Sequence, residues 1–73
     1  MEVFITRAYQ FGEEAGPTRV YTSLEAAQRY LESSFPERER IRWKQPHPGR
    51  WFARIGPVVE GSALYVEAVE VLE

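Results

Sequence analysis

A chain of 73 residues with 44 % apolar content and ten aromatic side chains reads as one domain, residues 1–73, with enough apolar surface for a core, so disorder is not expected. The absence of cysteine excludes disulfides, thiolate metal sites and cysteine nucleophiles, and no apolar run approaches the ~18 residues needed to span a bilayer. The net charge of −2 is uneven: residues 38–54 hold six cations and one acid, whereas the rest holds three cations and ten acids.

In chain order, residues 3–9 are rich in Val, Phe, Ile, Thr and Tyr and read as the first strand. The stretch 10–17, with Gly12, Gly16 and Pro17 around Glu13 and Glu14, reads as a loop. A short second strand over 18–21 then forms a hairpin with the first. Thr22 and Glu25 fit a capping box, in which hydroxyl and carboxylate satisfy each other's backbone N–H groups at a helix start. Leu24, Ala27, Leu31 and Ser34 or Phe35 recur at helical spacing, with Tyr30 on the flank. Glu25 and Arg29 are placed for a favourable i,i+4 pair. Pro36 ends the helix, because the residue before a proline is pushed out of the helical region.

Residues 39–45 and 50–55 read as a second hairpin closed by Pro46-His47-Pro48-Gly49. Gly56-Pro57 and Glu60-Gly61-Ser62 make further turns before a long last strand over 63–72. The predicted fold is a small α+β domain of order ββαβββ. One helix covers one face of an antiparallel sheet of about five strands.

The second hairpin carries the functional signal. Side chains two apart on a strand share a face. Arg38, Arg40, Arg42 and Lys44 therefore line one face of the third strand, with Ile41 and Trp43 on the other. Arg50, Phe52 and Arg54 share a face of the fourth strand, opposite Trp51, Ala53 and Ile55. With Trp43 opposite Trp51, Lys44 faces Arg50, Arg42 faces Phe52 and Arg40 faces Arg54. Like charges so placed cost stability unless something compensates, which makes a bound anion or an acidic partner attractive. The alternative is a solvated outer face whose arginines pair with Glu60, Glu67, Glu70 or Glu73. The tryptophans, beside Ile41, Ala53 and Ile55, are assigned to the core under the helix.

Little reaction chemistry is present. His47 is the only histidine and sits in a turn with no second histidine, cysteine or aspartate to orient it or share a metal. The serines lie at helix ends or in a turn, and the glycines form neither a dinucleotide fingerprint nor a phosphate loop. The leading expectation is a non-enzymatic protein-interaction module without a cofactor, a small accessory or inhibitory protein docking on a larger partner. The competing expectation is a nucleic-acid-binding module that uses the basic face. A homodimer is also expected, paired through a free edge at residues 3–5 or along the last strand. With neither disulfide staples nor a basic, cleavable leader, the expected location is the cytoplasm.

The segment Val20-Tyr21-Thr22-Ser23-Leu24-Glu25-Ala26-Ala27-Gln28-Arg29-Tyr30-Leu31 resembles a phrase of many small uncharacterised bacterial and phage α+β domains. There a strand ends in a Tyr/Phe-Ser/Thr step and a capped helix with a Glu-x-Ala centre follows. The resemblance implies the strand-to-helix step and no functional residue. In size and style the chain also resembles small phage-encoded inhibitors of host defence.

Overall fold

The computed structural model describes residues 1–11, 13–34, 41–55 and 61–72. Strand β1 (Glu2–Gln10) alternates strictly: Phe4, Thr6 and Ala8 are buried, and the residues between them are more exposed. That period of two is what a strand covered on one face requires. Its main partner is the last strand, β6 (Ser62–Glu70), antiparallel from Glu2↔Glu70 to Gln10↔Ser62. On its other side β1 pairs with β2 (Glu13–Glu14) and β3 (Arg19–Tyr21), also antiparallel. The expected loop over 10–17 thus contains a two-residue strand, and among the described residues the sheet has six strands where about five were predicted. The path runs β2-β1-β6, then β5 (Arg50–Ile55) and β4 (Lys44–His47), with β3 beside β1.

Helix α1 (Leu24–Ser33) packs on β1, β3 and β6. Ala27 and Leu31, 0 % and 2 % exposed, meet Phe4, Ala8, Ala53, Leu64 and Val66 in one core, and Ile41 completes it. The N-cap is Ser23, not Thr22: Ser23 is in extended backbone and its hydroxyl accepts from the Ala26 N–H at 3.1 Å. Counting from Ser23, the third helical residue is Ala26, so Glu25 closes no capping box and instead sets a negative charge in the first turn. Glu25 and Arg29 do not close an ion pair. Phe35 and Pro36 lie outside the described residues.

Thr6 is the buried polar residue of the core, fully enclosed. Its hydroxyl accepts from the Arg19 N–H at 3.2 Å and donates to the Arg19 carbonyl at 3.4 Å, so it ties β1 to β3 without an unmet polar group.

The second hairpin departs from the predicted register. Lys44 pairs with Phe52 and His47 with Arg50, with an irregularity between them. The turn is therefore the two residues Pro48-Gly49, and Gly49 takes φ +78°, a conformation that costs glycine little. Pro46 lies within the irregular stretch of an edge strand, where a missing N–H is tolerated. Trp43 is not opposite Trp51, and Lys44 meets an aromatic ring in place of Arg50. The like-charge opposition expected at Lys44 is thereby avoided; that expected between Arg40 and Arg54 falls on Arg40, outside the described residues.

The edges expected to pair with a second copy are largely occupied within the sheet. Phe4 and Ile5 pair with both β3 and β6, and Ser62–Glu67 pair with both β1 and β5, so only Val3 and the end of β6 keep a one-sided ladder at the edges expected to meet a second copy. Among the described residues no helix is long and apolar enough to cross a membrane.

Candidate binding surface

The helix covers one face of the sheet and leaves the other without a covering layer among the described elements. Register assigns the residues of that outer face. Ile5 is flanked by Val20 and Glu67, Arg7 by Tyr65, and Tyr9 by Ala63. Across the next ladder Arg50 meets Glu67, Phe52 meets Tyr65 and Arg54 meets Ala63, and Lys44 follows beside Phe52. Ten positions on β3, β1, β6, β5 and β4 thus supply apolar or aromatic side chains or cations to one continuous surface.

Three rings form its spine. Tyr9 meets Tyr65 edge-on with centroids 5.6 Å apart, and Tyr65 meets Phe52 at 5.2 Å, so the row crosses β1, β6 and β5 in order. The Arg54 guanidinium lies 5.4 Å from the Phe52 centroid, within cation–π range. Tyr65 remains 38 % exposed and Val20 60 % exposed. Beside Tyr65 lies a shallow depression of about 320 Å³ bordered by Ile5, Arg7, Arg50 and Glu67.

Charge on this face is not neutralised by its neighbours. Between described residues one ion pair forms, from the Met1 ammonium to Glu70 Oε1 at 3.0 Å. Glu70 is thus engaged at the chain end, and Glu67 closes no ion pair with Arg50 even though the two are cross-strand partners. Arg7, Lys44, Arg50 and Arg54 form no ion pair with a described residue, and two acids share the face: Glu67, and Glu14, which is paired with Tyr9 and accepts from the Thr18 hydroxyl at 3.2 Å. The expected pairing with Glu60 or Glu73 lies outside the described residues.

Of the candidate site residues, Lys44, Arg50, Phe52 and Arg54 come together on this face. Arg42 precedes β4, is exposed, and donates from Nη1 to the Ile41 carbonyl at 3.0 Å. Arg38 and Arg40 lie outside the described residues. Tyr9, Tyr65 and Arg7 were not anticipated. Their signal was the second row of β1 and β6, where Tyr9 and Tyr65 alternate with core residues, but only the β1–β6 pairing shows that the rows meet.

Both tryptophans sit on the opposite side, packed against the core. The Trp51 ring lies 5.9 Å from Phe4, and the Trp43 indole N–H donates to Glu32 Oε1 at 3.0 Å. His47 is exposed at the end of β4. Among the described residues no group of three or more His, Cys, Asp or Glu side chains could hold a metal. No family model, curated protein or solved structure matches the chain.

Proposed function

We propose that this chain is a non-enzymatic binding module that holds an anionic partner against the outer face of its sheet. The observation that carries this reading is the set of four cations, Arg7, Lys44, Arg50 and Arg54, that form no ion pair with a described residue and lie beside a partly exposed aromatic row. Surface cations on a merely solvated face gain little from being gathered, and their mutual repulsion is relieved when an anion arrives. The sequence has no cysteine and one histidine, and among the described residues no group of three or more His, Cys, Asp or Glu side chains could hold a metal, which favours binding over reaction. A module of this kind serves as a small accessory or inhibitory protein, occupying a site on a larger macromolecule.

The test compares the wild type with Arg50→Ala combined with Arg54→Ala. Both side chains are exposed and make no ion pair or hydrogen bond with a described residue, so the melting temperature should stay within a degree or two. Whatever macromolecule the immobilised wild type retains from a lysate of its own source should be lost by the double variant. Equal retention by both would remove the face from the proposal.

A further inference from the structure

We infer that the anionic partner is a single-stranded nucleic acid, with bases resting on Tyr65 and its neighbours Tyr9 and Phe52 and phosphates meeting Arg7, Arg50 and Arg54. This rests on the outer-face reading above and gives its partner a chemistry.

The aromatic row is what separates the candidate anions. Single strands are held by successive bases stacked on aromatic side chains while a cationic groove follows the backbone. Here three rings lie on three adjacent strands with centroid steps of 5.6 Å and 5.2 Å, edge-on between Tyr9 and Tyr65 and inclined by 41° between Tyr65 and Phe52, so aromatic surface is offered at three places rather than by one isolated ring. Cations flank it on both sides. Arg7 and Arg50 border the depression beside Tyr65, and the Arg54 guanidinium lies over the Phe52 ring. A phosphate seated between Arg7 and Arg50 leaves the adjoining base over Tyr65. Glu67, the one acid at the depression, has the chemistry to accept from an exocyclic amino group of a base.

Other occupants fit less of this surface. An acidic peptide would use the cations but would bring no flat partner to the rings. A nucleic-acid duplex would satisfy the cations but keeps its bases stacked inside itself. A second copy docked symmetrically through the same face would set the four cations against another four. The net charge of −2 does not oppose the inference, because of the described acids only Glu14 and Glu67 share the face with the four cations.

The experiment titrates the protein into labelled oligothymidylate and oligouridylate of about a dozen nucleotides, into a duplex of equal length, and into a polyglutamate peptide. The single strands should bind best, with affinity falling as salt rises, by a log–log slope of roughly 0.7 for each phosphate contacted. Tyr65→Leu and Phe52→Leu keep apolar bulk on the face while removing the π surface, and each should weaken single-strand binding by about five- to a hundredfold. Arg50→Ala with Arg54→Ala should reduce both the affinity and the salt slope. Melting curves on every variant confirm that folded proteins are being compared.

Three results would overturn the inference. The first is no single-strand binding at about 100 µM protein in low salt. The second is equal binding of oligonucleotide and polyglutamate, unchanged in the leucine variants, which marks a generic anion surface. The third is a dimer that the leucine variants disrupt, which assigns the face to a second copy. Failure of the broader reading looks different. If a protein retained from the lysate survives nuclease and is lost by the double arginine variant, the binding face stands and its nucleic-acid assignment falls. If the double variant changes nothing in any assay, both fall.

Discussion

On the inner side of β6, Leu64 and Val66 are almost wholly enclosed beneath the helix; on the outer side, Tyr65 between them is 38 % exposed and touches two other rings. The two faces share a backbone, a hydrogen-bond ladder and a liking for bulky apolar residues. They differ in what completes them. The inner face is closed by α1, and even its buried hydroxyl, Thr6, has both partners supplied within the chain. The outer face carries aromatic surface and four cations that the described residues do not complete. Residues of similar hydrophobicity can thus serve stability or recognition according to which side of a strand they occupy.

The sharpest way to break this comparison is to mutate neighbours on opposite faces. Leu64→Ala should cost roughly 2–5 kcal/mol, and Trp51→Ala about 3 kcal/mol, through lost burial and the cavities left behind. Urea unfolding midpoints measure both, and for a domain this small either loss removes much of the stability. If Trp51→Ala melted like the wild type, the face assigned to the core would be the wrong one. Thr6→Val tests the polar tie within the core. It keeps the shape but leaves the Arg19 N–H and carbonyl without their partner, a cost of about 1–3 kcal/mol, whereas Thr6→Ser should restore most of it. Ser23→Ala should cost about 1 kcal/mol by removing the cap on Ala26, while Thr22→Ala should be nearly silent. That pair separates the two candidate caps.

The smallest effect is one of sign. Phe11 has φ +54° and is 64 % exposed, so its side chain gains little burial in return for a left-handed backbone. Phe11→Asn should therefore raise stability by up to about 1 kcal/mol in the same urea assay. No gain would indicate that the exposed ring has a packing role on the sheet.

The helix and its buried stripe were legible because both are local: spacing of three and four residues places Ala27 and Leu31 together whatever the rest of the chain does. The inward placement of the tryptophans and the outward placement of Lys44, Arg50, Phe52 and Arg54 followed from period two and survive the change of register, since a shift of two residues preserves the face. The register itself was missed because Pro46, Pro48 and Gly49 offer more than one turn, and sequence alone does not select the tighter one. The cap slipped by one residue because Thr22 and Ser23 are both good capping residues. Tyr9 and Tyr65 lie 56 positions apart, and no local pattern announces that β1 and β6 are neighbours.

That neighbour relation also constrains how the chain reaches its native state. The longest ladder in the sheet joins the first strand to the last, Glu2↔Glu70 through Gln10↔Ser62, so its closure must wait for nearly everything between. Contacts of such long sequence separation raise the entropic cost of the folding barrier and slow the passage over it. While a ribosome is still adding β5, the inner row Phe4-Thr6-Ala8 has only β3 and the helix to shelter against, and its edge toward β6 stays open. Completion of β6 is then the step that closes the centre of the sheet. Folding should accordingly be a late, all-or-none event for this chain, with β1 exposed to mispairing until the final strand arrives.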